Sequence, residues 1–301
     1  MSYLDILRSL PTRQTTDEDL DKLHELVSEK DIFDESVLIT LNKDPMYIER
    51  TILHHIVDSF HLKLYFEYLY GISEQSNAFV IKSADGNRAS GLFFDEVLDI
   101  SIMHFLLIVW AYVYQPQYIK VCKDKLSRLV NDVLIKRKEA FKGWANTIEE
   151  LNIPDRAIVQ ALDMYWAAWS FVVGHEIFHI INNEILSRRE EELRADRFGF
   201  QVLIRFIEDQ KSGILPKELD SFYEDYYLVP CILMEIFRVL DLHREDVPIY
   251  GDADHYPSPE ERMQALIDLY DTDVPDDFDT EYGNAFLATF LDAVKELCCM
   301  E

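Results

Sequence analysis

The chain has 301 residues, with 56 acidic and 29 basic side chains that give a formal net charge of −27. Such a charge argues against binding to a nucleic-acid backbone or to an anionic membrane surface. Hydrophobic residues make up 49% of the chain, and 9 glycines and 10 prolines are too few for a loop-rich all-β fold. The composition therefore predicts a folded, mainly α-helical protein with one large domain or two smaller ones.

The cysteines and the N-terminus indicate a cytoplasmic location. Residues 1–10 carry charges within a short amphipathic segment and lack the pattern of a secretory signal. The cysteines show neither C-x-x-C spacing nor a disulfide framework, which favours reduced thiols. They are Cys122, Cys231, Cys298 and Cys299.

The first half of the chain is predicted to be helical with one β-hairpin. Residues 77–82 and 89–94 flank the turn pair Asp85-Gly86, which is typical of a hairpin at about residues 77–94. His54, His55 and His61 show no carboxylate partner pattern and are interpreted as ordinary packing or surface residues. The helices predicted here cover Thr16–Lys30, Tyr47–Tyr70 (one or two helices), Phe94–Tyr114 and Pro116–Phe141.

Two segments of this half raise alternatives. The apolar run Ile102–Tyr114 is too short to span a membrane and contains His104, so it predicts a buried core helix. The basic stretch 120–142 and the acidic stretch 271–281 are typical of a solvated helix face and a solvated loop. Alternatively, these two segments dock on each other, or the acidic surface selects basic substrates.

The second half is predicted to be helical throughout. Its helices are expected at Asp155–Leu186, Glu190–Glu208, Pro216–Leu240, Pro259–Leu269 and Tyr282–Leu297.

Within the first of these helices lies the motif H-E-x-x-H, formed by His175, Glu176 and His179. Residues four apart share a helix face, so the two histidines can bind one metal ion. Glu176 can reach a water bound to that ion. The alternative is two core histidines with Glu176 in a salt bridge, which is costly because polar groups would be buried without a metal.

A third ligand is expected from the next helix. Glu192 and Asp196 lie four residues apart, so one carboxylate can bind the metal while the other accepts a hydrogen bond from a ligand imidazole. We assign Glu192 to the metal and Asp196 to the imidazole. Without the H-E-x-x-H motif, the same acidic cluster would indicate a solvated helix start.

These residues resemble gluzincin metallopeptidases, especially the HtpX-like and CAAX-prenyl-endopeptidase group and its soluble relatives. Residues 174–180 match the H-E-x-x-H half of the pattern, and residues 192–199 match the E-x-x-A-D half. Residues 255–262 look like the H-P-x-x-x-x-R segment, although Tyr256 separates His255 from Pro257. Phage-exclusion peptidases of the Lit type share a comparable H-E-x-x-H core.

The resemblance implies a helical metallopeptidase core at residues 151–301 that follows a helical N-terminal region at residues 1–150. Alternatively, the two regions form one continuous domain. It also implies catalytic roles for His255 and Arg262 in stabilising the transition state. Otherwise these two residues are an exposed loop histidine and a helix-start arginine paired with nearby acids. The predicted hairpin would supply a strand edge for an extended substrate.

The function predicted from the sequence is zinc-dependent endopeptidase activity on a protein or peptide substrate, with one zinc per chain and Glu176 as general base. The same ligand types also accept Mn, Co or Ni. Two alternatives stay open. One is a non-catalytic metal-binding regulatory or interaction protein with the peptidase fold, and the other is an acidic decoy that mimics nucleic acid.

Overall fold

A computed structural model describes residues 47–62, 66–71, 79–81, 90–130, 147–148, 150–212, 226–242, 256–275 and 278–298. Several predictions concern residues outside these ranges: the helix Thr16–Lys30, the turn at Asp85-Gly86, the basic residues after 130, and His255.

The described part of the chain is mainly α-helical, as predicted from the composition. The helices are α1 (Tyr47–Ser59), α2 (Glu96–Tyr114), α3 (Ile119–Arg128), α4 (Asp155–Ile181), α5 (Arg188–Lys211), α6 (Val229–Leu242), α7 (Pro259–Asp273) and α8 (Thr280–Cys298), with short 3₁₀ turns at Pro116–Tyr118 and Tyr226–Leu228. The strands are β1 (Phe66–Gly71), β2 (Phe79–Ile81) and β3 (Ser90–Asp95).

The three strands form a small sheet in the order β1-β3-β2. Strand β2 runs antiparallel to β3 with Val80 opposite Leu92, which confirms the predicted strand pair. Strand β1 runs parallel to β3, with Phe66 opposite Ser90. Strand β2 also contacts helix α4, so the sheet lies against the helix that carries the H-E-x-x-H motif.

The prediction of helix through Tyr70 is wrong for residues 66–70, which form strand β1. Helix α1 ends because His61 adopts a left-handed backbone with φ of 51°. The Leu62 N–H donates to the Val57 carbonyl at 2.9 Å, which closes the last turn. The aromatic-rich segment that follows pairs with β3, and this pairing overrides local helical periodicity.

Helix α4 ends at Ile181, five residues before the predicted boundary. Asn182 takes an extended conformation, and its side-chain oxygen accepts a hydrogen bond from the Glu184 N–H at 3.0 Å. This Asn-centred turn starts a connection of six residues to α5. Ser187 caps α5 by accepting from the Glu190 N–H at 3.2 Å. The short connection keeps the two helices as neighbours.

The core packs α2, α4 and α6 together with residues from the sheet, α5 and α8. Residues from both sides of position 150 contribute to it, including Trp110 on α2 and Met164 on α4, whose Nε1 and Sδ lie 3.0 Å apart. His104 is buried in α2, as predicted for a core helix. The division into two domains stays a prediction.

Lys125 and Arg128 of the basic segment both pair with carboxylates among the described residues, and Arg128 Nη2 lies 2.9 Å from Asp124 Oδ2 on the same helix. Lys125 on α3 is buried, and its Nζ lies 2.7 Å from a carboxylate oxygen of Glu150. The partner of Lys125 therefore lies outside the acidic stretch 271–281.

Among the described residues no single helix is long and apolar enough to cross a membrane. Two consecutive helical segments, Leu98–Tyr114 and Pro116–Arg128, would together be long and apolar enough, but the chain bends by 118° between them.

Candidate metal centre

The candidate site lies where helices α4 and α5 pack most closely. A Cβ atom added to Gly174 would lie 2.9 Å from the Cα of Gly199, and one added to Gly199 would lie 2.7 Å from the Phe171 carbonyl oxygen. Only glycine fits at both positions without a shift of the helices. This contact brings the face of α4 that carries His175 and His179 against the acidic first turns of α5.

Three potential ligand atoms converge there, as predicted for His175, His179 and Glu192. The two Nε2 atoms lie 3.2 Å apart. The Glu192 carboxylate oxygens lie 3.4 Å from His175 Nε2 and 3.7 Å from His179 Nε2. His175 is buried, whereas His179 and Glu192 are half-buried, so the group is shielded on one side and approachable on the other.

These separations fit a bound ion. Bonds of about 2.0–2.1 Å to nitrogen and oxygen in a tetrahedral site place neighbouring donor atoms about 3.3 Å apart. The two Nε2 atoms at 3.2 Å and the pair of His175 Nε2 with Glu192 Oε2 at 3.4 Å come close to that edge length, and the second carboxylate oxygen, Glu192 Oε1, lies 3.7 Å from His179 Nε2. Two imidazoles and one carboxylate can therefore hold one metal ion and leave its fourth position open.

Both imidazoles are oriented from their far side by carboxylates. His175 Nδ1 lies 2.9 Å from Asp196 Oδ1, in line with the predicted role of Asp196. His179 Nδ1 lies 3.2 Å from Glu191 Oε1. A carboxylate on Nδ1 holds the proton there and leaves Nε2 with a lone pair for a metal.

Glu191 was not predicted from the sequence as a site residue. It stands within an acidic run, directly before the predicted ligand Glu192. That position was the available signal, but whether its side chain faces His179 or solvent depends on how α5 packs on α4. Helix spacing along α5 alone does not supply that information.

Asp196 is shared between His175 and Arg262. The Arg262 Nε donates to Asp196 Oδ2 at 2.7 Å, and Nη2 donates to Oδ1 at 2.5 Å. Burial opposes ionisation of Asp196, but the Arg262 charge and these hydrogen bonds hold its pKa at about 2. The predicted catalytic residue Arg262 thus reaches the site, where it binds the carboxylate that orients His175.

Glu176 is buried next to the ligand His175, with 8% of its surface exposed. Burial raises the pKa of Glu176 to about 7, and the charges of His175, Glu192 and Arg262 modify that effect. A carboxyl group with a pKa near neutrality can both accept and return a proton at physiological pH. This is the property that its predicted role requires.

The side chains of the candidate ligands influence each other's ionisation. Burial lowers the pKa of His175, but the hydrogen bonds that the carboxylates of Asp196 and Glu192 accept from it outweigh burial and raise the pKa to about 10. Burial and the neighbouring His175 lower the pKa of His179. Burial opposes the charge of Glu192, but contact with His175 keeps its pKa below the usual value. A His175 with this pKa carries a positive charge at neutral pH, and a metal ion that binds its Nε2 would displace that proton.

The segment after His255 packs against the start of α5. Arg188 Nη1 donates to the Tyr256 hydroxyl at 2.6 Å, and its guanidinium carbon lies 5.5 Å from the Tyr256 ring centre. Arg189 pairs with Glu261 on α7. His255 itself lies outside the described residues, so its catalytic role stays a prediction.

His55 has a carboxylate partner that its sequence neighbourhood does not reveal. Its Nε2 lies 2.7 Å from Oδ2 of the buried Asp209, which is 154 positions later in the chain. Arg205 donates to the same oxygen at 2.8 Å. This cluster joins α1 to the end of α5, in keeping with a packing role for His55.

Comparisons of the chain with protein-family models, with curated proteins and with solved structures found no match.

Proposed function

We propose that this protein is a zinc-dependent endopeptidase of gluzincin type. The observation that supports the proposal best is the triangle of donor atoms from His175, His179 and Glu192, with the buried Glu176 beside it. Two imidazoles and a carboxylate with an open fourth position are the ligand set of hydrolytic zinc sites. The resemblance of residues 174–180 and 192–199 to gluzincins supports a peptide bond as the target.

Zinc is the proposed metal because it accepts nitrogen and oxygen ligands in tetrahedral geometry, although Mn, Co and Ni accept the same set. His175, His179 and Glu192 would hold it. When bound, such an ion acts as a Lewis acid and lowers the pKa of a bound water towards neutrality.

The residues around the metal have separate tasks. Asp196 and Glu191 keep the two imidazoles in the orientation that exposes Nε2. Glu176, buried beside the proposed ligands, would accept a proton from the attacking water and return it to the leaving amine. His255, Arg262 or a nearby tyrosine would stabilise negative charge on the scissile carbonyl oxygen.

The test uses the purified chain, its Glu176→Gln variant and an unbiased library of peptides, with new peptide termini detected by mass spectrometry. We expect the wild-type protein to cut some peptides and the Glu176→Gln protein to lose at least ~100-fold of that activity while keeping its metal. Glu208→Gln, an exposed position at the far end of α5, is the matched control and should cut normally.

The alternative proposal is a metal-binding regulatory protein whose acidic surface engages a basic partner, which the net charge of −27 favours. This alternative predicts metal in both proteins and no cleavage by either. Any biological effect of the chain would then survive the Glu176→Gln change, and the endopeptidase proposal would fail.

A further inference from the structure

Arg262 is buried beside the proposed metal centre but supplies no ligand. Its side chain is 5% exposed, and that of Asp196 is 1% exposed. Two guanidinium nitrogens contact the two carboxylate oxygens of Asp196, and Oδ1 of the same carboxylate also lies 2.9 Å from His175 Nδ1. Arg262, Asp196 and His175 therefore form one continuous chain of hydrogen bonds.

We infer that Arg262 is a positioning residue, which acts on the metal through Asp196 and His175 instead of contacting the substrate. The inference rests on the proposed metal centre. A planar guanidinium that binds both oxygens of a carboxylate fixes its rotation as well as its charge. The carboxylate then has one orientation in which it can accept the Nδ1 proton of His175, and Nε2 is directed at the metal.

The alternative role, stabilising charge on the substrate, competes with this contact. Removing one partner of a buried, hydrogen-bonded ion pair leaves an uncompensated charge, which is strongly unfavourable. Arg262 would have to leave Asp196 in order to bind a substrate oxygen through Nε and Nη2, and because its side chain is only 5% exposed, Nη1 has little access to a substrate. The geometry therefore favours an Arg262 that stays bound to Asp196 and supports His175 over an Arg262 that moves to bind the substrate.

The surroundings of Arg262 also hold it in place. Helix α7 is capped by Ser258, which accepts from the Glu261 N–H at 3.2 Å, and Glu261 pairs with Arg189 on α5. Tyr256, just before α7, contacts Arg188. Helix α7 is thus attached to α5 at the first turn of α5 and again at Asp196. Helix α7 therefore provides no metal ligand itself, but through Arg262 and Asp196 it determines the orientation of His175 on α4.

The test is a cycle of four proteins: wild type, Arg262→Lys, Asp196→Asn and the double variant. Lysine keeps the charge but cannot bind both carboxylate oxygens as a planar fork, and asparagine keeps the shape of Asp196 without its charge. Zinc affinity is measured by competition with a chromophoric chelator, and the ligand geometry by the visible spectrum of the cobalt-loaded proteins. Circular dichroism verifies that each variant is folded.

We expect Asp196→Asn to weaken zinc binding by about 10- to 100-fold, as the loss of a carboxylate behind a ligand histidine does elsewhere. Arg262→Lys should weaken binding by less and should change the cobalt spectrum. In the double variant, the lysine should add no more than about a twofold effect to that of asparagine, because both changes act through one contact. Arg238→Lys is the control, since Arg238 binds both oxygens of Glu235 on α6.

The inference is overturned if Arg262→Lys binds zinc as tightly as the wild type with an unchanged cobalt spectrum, or if its effect is the same with and without Asp196. The first result, combined with loss of peptide cleavage, would assign Arg262 to the substrate and leave the proposed function standing. A wild-type chain that binds no metal would instead overturn the proposed function and this inference with it.

Discussion

A Cβ atom placed on Gly174 would lie 2.9 Å from the Cα of Gly199, so helices α4 and α5 touch at these two backbones. Gly174 directly precedes His175, and Gly199 lies three residues after Asp196. The close contact sets the distance between the histidine-bearing face of α4 and the carboxylates of α5. The geometry of the proposed metal centre therefore depends on two residues that cannot bind a metal.

Gly174→Ala is expected to destabilise the protein by about 1–3 kcal/mol, because the new methyl group would overlap backbone and Val202 side-chain atoms. In an uncrowded helix the same change would stabilise by about 1 kcal/mol, so the sign of the effect tests the crowding. Urea unfolding measures it. Gln201→Ala, on the exposed face of α5, should change stability by less than about 0.5 kcal/mol. A Gly174→Ala protein as stable as the wild type would contradict the close contact.

Three consecutive glutamates at the start of α5 separate three roles. Glu192 is the proposed metal ligand, Glu191 contacts His179 Nδ1, and Glu190 pairs with the exposed Arg194 at 2.8 Å. Each glutamate is changed to alanine in a separate variant. Glu192→Ala should reduce the zinc affinity most, Glu191→Ala should reduce it about tenfold, and Glu190→Ala should leave it unchanged. Chelator competition on the three proteins gives the order directly. Equal losses at Glu190 and Glu191 would show that His179 is not oriented by Glu191.

Stability should fall in acid partly because of His104. Burial, with a smaller effect from the Lys125 charge, lowers the pKa of His104 from 6.5 to about 3. Its Nε2 lies 2.8 Å from Thr147 Oγ1. Between pH 6.5 and pH 3, His104 is protonated in the unfolded chain but neutral in the folded protein, so protonation favours unfolding. The contribution of neutral His104 to stability is therefore fully present above pH 6.5 and is lost as the pH falls towards 3.

The prediction is that the wild type loses about 2 kcal/mol more than His104→Gln between pH 7 and pH 5, in urea unfolding with a chelator present. His54→Gln is the control, because His54 lies exposed on α1. If His104→Gln has the pH dependence of the wild type, His104 has the same pKa in the folded protein as in the unfolded chain, and the lowered pKa is refuted.

The sequence predicted those features that depend on local spacing. His175 and His179 share a helix face because they are four residues apart, and the strand pairing of residues 79–81 with 91–93 follows from a short connection. Glu191 and the contact between His55 and Asp209 depend on packing between distant elements, and so does the parallel pairing of β1. Nothing in the sequence next to these residues specifies the contacts, so local spacing alone could not predict them.

Arg262 illustrates the same limit at the level of function. Its place in an H-P-x-x-x-x-R-like segment suggested a catalytic role, but the segment does not indicate which carboxylate the guanidinium would meet. The structure pairs it with Asp196, 66 residues earlier. A residue expected to face the substrate thus contacts the carboxylate behind His175, the proposed ligand.

The most direct test of the metal centre is the zinc content of the purified, untagged chain by elemental mass spectrometry, alongside a His175→Ala/His179→Ala variant. The proposed site predicts about one zinc per wild-type chain and essentially none in the double variant. Wild-type protein that stays metal-free after incubation with zinc, or a double variant that holds as much zinc as the wild type, would contradict it.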